Sequence, residues 1–157
     1  MDAVELLDIR EGGLDDPRVV ALAAAHHADM AANTPACSMH ALDVERLRDP
    51  AITVWSAWIG DAVAGIGALK AIDAERGELK SMRTADPFLG RGVARAILHR
   101  IVQAARERGM TSLWLETGSG DDFIPARRLY ASEGFTECGP FDGYAEDPLS
   151  TFMTRSL

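Results

Sequence analysis

The stretch DPFLGRGVARAILHR, residues 86–100, puts two glycines around an arginine where a strand-like run gives way to an amphipathic helix. Val93, Ala94, Ile97, Leu98, Ile101, Val102 and Ala105 recur at helical spacing on one broad face, and Arg95, His99, Gln103 and Arg106 lie opposite. A helix with so wide an apolar stripe must cover another layer, and the residues around it supply a sheet. Its end is marked by Arg106 and Arg108 in the last turn and by Gly109, as the helix dipole and a left-handed cap favour.

The spacing predicts a first strand over residues 4–9, then Asp15-Asp16-Pro17 as the entry to a helix over 17–32. Asn33-Thr34-Pro35 ends that helix, and a short helical piece over 43–48 precedes Asp49-Pro50. Residues 52–59 and 62–71 are β-branched, aromatic or small with Gly60-Asp61 between them, which reads as a hairpin. A third strand over 78–84 leads into the glycine turn; a strand over 111–117, a helix over 121–133 and strands over 135–139 and 150–154 follow. Hairpins in the middle and strand–helix alternation later give a mixed α/β sheet. At 157 residues with no repeat, linker or low-complexity tract, the expectation is one domain over 1–157.

Composition narrows function by exclusion. A formal charge of −8 argues against a nucleic-acid binder, which draws on a basic surface, and is compatible with a cationic amine. No apolar run approaches the roughly 18 residues of a membrane span. The first residues carry acidic groups and no basic segment followed by an apolar one, so a cytoplasmic location is expected. Cys37 and Cys138 lie about a hundred residues apart with no metal-ligand spacing, so free thiols and no metal are expected. Trp55, Trp58 and Trp114 read as sheet or core residues.

A strand, a glycine turn and a helix N-terminus together form an anion cradle: unpaired N–H groups point outward, the dipole adds positive charge, and glycine lets a phosphate come close. Two well-known phosphate loops do not fit. No Gly-Lys-Ser/Thr triplet occurs, and the third small position of a dinucleotide fingerprint counted from Gly90 and Gly92 is Arg95.

The segments GRGVARAILHRIVQAARERG, TSLWLET and ARRLYASEGF resemble, in content and order, the general-control-related N-acetyltransferase (GNAT) superfamily. Its Arg/Gln-x-x-Gly-x-Gly/Ala signature falls on residues 89–94, and its helix ending in Leu-Tyr followed by Gly-Phe falls on Leu129-Tyr130 and Gly134-Phe135. The resemblance spans residue 54 to the C-terminus, and HALD, LKSMRT and CGPFDGYAEDP are similar to a bacterial YsnE-like branch. Two positions depart: Leu89 stands where arginine or glutamine is usual, and Ile124 where the Tyr-bearing helix often has asparagine.

The resemblance implies a mostly antiparallel twisted sheet of about seven strands with about four helices. It also implies acetyl-CoA as cosubstrate and direct attack by a small-molecule amine within a ternary complex. No Gly-x-Ser-x-Gly elbow competes with that reading. Coenzyme contacts are implied for Met82, Arg83, Thr84, Leu89, Gly90, Arg91, Gly92, Val93, Ala94, Arg95 and Tyr130. Tyr130 is the implied acid for the leaving thiolate, Glu78 the base, and the Met82 backbone N–H the donor that polarises the carbonyl. Glu116, at the end of the next strand, is the reserve base. His27, His40, Glu116, Phe141 and Tyr144 are the candidate acceptor contacts. The same features also suit a protein N-terminal or lysine acetyltransferase, or an acyl-CoA sensor without turnover. Related folds often dimerise, which leaves a homodimer open.

Overall fold

A computed structural model describes residues 6–157. Among these residues seven strands form one sheet in the order β1-β2-β3-β4-β5-β7-β6. They are β1 (Leu7–Glu11), β2 (Ile52–Ile59), β3 (Ala62–Ala71), β4 (Arg76–Thr84), β5 (Ser112–Gly118), β6 (Thr136–Cys138) and β7 (Ser150–Ser156). Four α-helices accompany them: α1 (Pro17–Asn33), α2 (Val44–Leu47), α3 (Val93–Glu107) and α4 (Ile124–Ser132). Every neighbouring pair is antiparallel except β4 and β5, which run parallel. The hairpin strands begin and end where the pattern puts them, whereas β4 starts two residues earlier than residue 78, at Arg76. The strand expected over 4–9 is described from Leu7 and extends to Glu11; Val4 and Glu5 lie outside the described residues.

Local chemistry sets the helix ends. Asp16 accepts from the Arg18 N–H with Pro17 opening α1, and Asp43 accepts from the Arg46 N–H at the start of α2. Gly109 follows α3 at φ 82°, the left-handed geometry that stops a helix. The tail helix is shorter than 121–133 because Asp121–Phe123 makes a single 3₁₀ turn before Pro125 fixes the first turn of α4.

The sheet has two apolar faces. Along β2, Trp55 and Ala57 pack with α3, while Val54 and Trp58 pack with α1 and α2. α3 buries Val93, Ile97, Leu98, Ile101, Val102, Ala104 and Ala105, and each large aliphatic removed from water contributes about 1.5–3 kcal/mol. It comes this close because β3 offers glycine beneath it. A Cβ on Gly67 would stand 2.6 Å from both Ile97 Cγ2 and Met82 Sδ. Cys37 and Cys138 are both free thiols. Among the described residues no helix is long and apolar enough to cross a membrane.

Candidate active site

β4 and β5 pair over only three positions, Arg76↔Ser112, Gly77↔Leu113 and Glu78↔Trp114. β4 continues to Thr84 and β5 to Gly118, so beyond Glu78 and Trp114 the strands part. A bulge accompanies the separation: Lys80 pairs with Ala68 and Arg83 with Ile66, leaving Ser81 and Met82 opposite the single Gly67. Ser81 sits at φ 54°, a left-handed conformation that is strained for a residue with a Cβ. The opening widens into a cleft of about 930 Å³ whose walls come from β4, β5, α1, the loop before α2, the start of α3 and α4.

The glycine turn forms one wall. Leu89, Gly90, Gly92, Val93, Ala94 and Arg95 all line the cleft. Gly90 and Gly92 have φ 76° and 80°, and nothing stands within 4 Å of the place where either would carry a Cβ. Among the described residues no side chain caps α3 and no acidic residue occupies its first turn, so its leading N–H groups have no side-chain acceptor where the helix start lines the cleft. Leu89 in the signature position is 62% exposed. The two arginines are spoken for: Arg95 donates to Glu133 and Ser132, and Arg91 lies 5.6 Å above the Phe88 ring, outside the cleft lining. Glu133 also meets His99, and although desolvation pushes its carboxyl up, the hydrogen bonds with these two side chains hold it below the usual range.

Tyr130 reaches the cleft from α4 with only 6% of its surface exposed and rests edge-on against Phe135, centroids 5.7 Å apart. Burial pushes its phenol well above the ordinary range, so it stays protonated at any physiological pH. Among the described residues no hydrogen bond engages its hydroxyl.

On the α1 side lies a polar cluster. Glu78 is buried, not solvated at a strand end, with its side chain 2% exposed. Its Oε2 accepts from Tyr144 Oη at 2.6 Å and from Lys80 Nζ at 3.2 Å. Lys80 also donates to Tyr144 Oη at 3.0 Å and to the His40 carbonyl at 3.4 Å. Tyr144 therefore braces the carboxylate, and burial with the Glu78 charge drives its phenol upward. His40 meets it edge-on at 4.8 Å, and Phe141 backs it at 5.0 Å while packing on Trp114. Phe141 and Tyr144 thus support the wall from behind, while His40 lines it. A second tie, Ser38 Oγ donating to Asp147 at 2.5 Å, joins the loop before α2 to the loop before β7.

Glu116 lines the cleft from β5, and burial pushes its carboxyl up against the Ser150 hydroxyl and the pull of His40 and Lys80. Arg83, expected at the coenzyme, lines the cleft and donates through its guanidinium to Asp29 of α1. His26, not His27, faces the cleft, because adjacent helical positions differ by about 100° in direction. His26 shares the first helix with His27, the region where the acceptor pocket is expected, whereas Lys80 carries no motif. A signal for Lys80 existed: Glu78 and Lys80 are two apart on a strand and so share a face.

The geometry agrees with known proteins. The GNAT acetyltransferase family matches residues 19–135. The chain belongs to that family. It is 49% identical over 151 residues to the N-acetyltransferase YsnE of Bacillus subtilis, covering 96% of this chain and 100% of that one. It is 47% identical over 152 residues to YedL, an N-acetyltransferase of Escherichia coli, covering 97% and 96%. A Klebsiella pneumoniae structure solved as a candidate acyl-CoA N-acyltransferase superposes with a TM-score of 0.81 at 25% identity, over 98% of this chain and 99% of that one. The protein is a GNAT N-acetyltransferase, and the cleft is its candidate active site.

Burial and the neighbouring Arg83 charge lower His26 to about 4. Below pH 6.5 the unfolded chain takes up a proton that the folded acetyltransferase refuses, so stability falls as pH drops from about 6.5 to about 4. The loss reaches roughly 3 kcal/mol at 1.36 kcal/mol per pH unit. Denaturant titrations at pH 7 and pH 4.5 should show that loss shrink in His26→Phe; an unchanged loss would mean that His26 takes up its proton in the folded state.

Proposed function

We propose that this acetyltransferase moves acetyl from acetyl-CoA to the primary amine of a small, amino-acid-like acceptor, with both substrates bound at once. The observation that carries the reading is the cleft between the parted β4 and β5, with the uncapped start of α3 on one wall and a carboxylate-bearing polar wall on the other. Gly90, Gly92 and the first N–H groups of α3 suit a pyrophosphate: nothing crowds the backbone, and the dipole is unopposed by a side-chain cap. Acetyl-CoA would supply an activated acyl carbon on a thiolate leaving group.

The remaining work falls to the protein. The Met82 N–H, within the bulge, is suited to hold the carbonyl oxygen as charge develops on it. As the C–N bond forms and the C–S bond breaks, Tyr130 delivers its proton to the departing sulfur. Glu116 takes the amine proton, directly or through water. Glu78 is the weaker choice for that step, because its Oε2 already accepts from Tyr144 and Lys80.

Thermal melts with acetyl-CoA, CoA and NAD test the coenzyme assignment. Ligand at about a hundred times its Kd stabilises by roughly 2.7 kcal/mol, which is several degrees for a chain of this size. Shifts with acetyl-CoA and CoA but not NAD are expected. They should vanish in Gly92→Glu, which sets a carboxylate among the α3 N–H groups. If the CoA ligands leave the wild-type midpoint unmoved, the phosphate cradle is wrongly assigned.

A further inference from the structure

Most charges on the α1 side of the cleft are satisfied within the protein. Lys80 spends its three protons on Glu78, Tyr144 and the His40 carbonyl. Arg83 does not. Its Nη2 donates to Asp29, whose side chain is half exposed, and among the described residues Nε and Nη1 have no partner. His26 lines the same cleft with a buried Nδ1 that meets no hydrogen-bond partner. From β5, Glu116 enters with no cationic nitrogen within 4 Å among the described residues. A guanidinium with spare donors beside an orphan imidazole, and across from them a carboxylate that meets Ser150 but no cation, complement a zwitterion.

We propose that the acceptor is an amino acid with a free carboxylate, held by Arg83 and His26 while its amine faces Glu116; this rests on the acetyl transfer argued above. The spacing suits it. Arg83 lies five residues past Glu78, four ladder steps once the bulge residue is set aside, and Glu116 lies two past Trp114. The difference of two steps is about 7 Å along the strands at about 3.3 Å per residue. With the strands parted, that stagger leaves Arg83 and Glu116 both lining the cleft from different strands, where the two charges of one small zwitterion can meet them. An arginine fork also matches a planar carboxylate better than an ammonium does.

The test is thiol release from acetyl-CoA with L-amino acids and, for each one accepted, its α-amide. Wild type should prefer acid over amide at least about tenfold in kcat/KM, the discrimination expected when a partly exposed guanidinium loses a charged hydrogen-bond partner. Arg83→Gln should collapse that ratio toward one, chiefly through KM for the acid, and Arg83→Lys should restore part of it. A purely structural loss would lower acid and amide together and leave the ratio alone, which would overturn the assignment. So would wild-type use of amides as good as acids. If no amino acid or amide is acetylated while acetyl-CoA still raises the melting midpoint, the acceptor class is wrong and the coenzyme site stands. If that shift is also missing, the acetyl-transfer reading itself has failed.

Discussion

Tyr130→Phe should lower kcat by about two to four orders of magnitude, the range that a positioned proton donor contributes, while the acetyl-CoA melt shift stays near wild type. The substitution removes one oxygen from a side chain that is 6% exposed and keeps the ring against Phe135. No hydrogen bond among the described residues is broken, so little stability is at risk. A phenol held well above its ordinary range by burial gives up its proton only as negative charge gathers on the leaving sulfur, which confines its contribution to the transition state. Steady-state thiol release with the two proteins decides the matter. An unchanged kcat would retire Tyr130 as the acid and make it a packing residue of α4.

Glu78→Ala should be the most damaging of the single changes to stability. It strands the Lys80 ammonium, whose side chain is 10% exposed, and takes the acceptor from Tyr144. Breaking a buried pair from one side costs about 3–5 kcal/mol, on the order of 10 °C in melting midpoint for a chain of this length. Replacing both partners, Glu78→Gln with Lys80→Met, should recover much of the loss, because no uncompensated charge is left inside. Chemical denaturation of the three proteins gives the comparison. A single-mutant loss below about 1 kcal/mol would mean that Lys80 finds water or another acceptor once Glu78 is gone.

The fold was largely legible in the sequence because its signals are local. Gly60-Asp61 between two β-rich runs placed the hairpin, and Pro17 after Asp16 placed the start of α1. The bulge was not legible, since Ser81 in a left-handed conformation looks like any other strand serine until Gly67 is seen opposite it. Likewise the motif located Tyr130 and the glycine turn, both fixed by short-range patterns. The acceptor wall is built by contacts across long separations, such as Tyr144 with Glu78, 66 residues apart, and Ser38 with Asp147, 109 apart. Nothing local records those pairings. Choosing His26 over His27 also needed the helix phase, which the mostly small and apolar residues around them leave ambiguous.

A sheet riveted through three residue pairs behaves as two ribbons clipped at one end, β1 to β4 and β5 to β7, and the clip works as the fulcrum of a lever. Gly77 sits in that clip, where a Cβ would press on Leu69, Met110 and Leu113 at 2.7–3.0 Å. Because β4 and β5 diverge only beyond that clip, the packing within it sets the angle at which they part toward Arg83 and Gly118. The bore of this acetyltransferase can thus be retuned by residues that never touch what it holds.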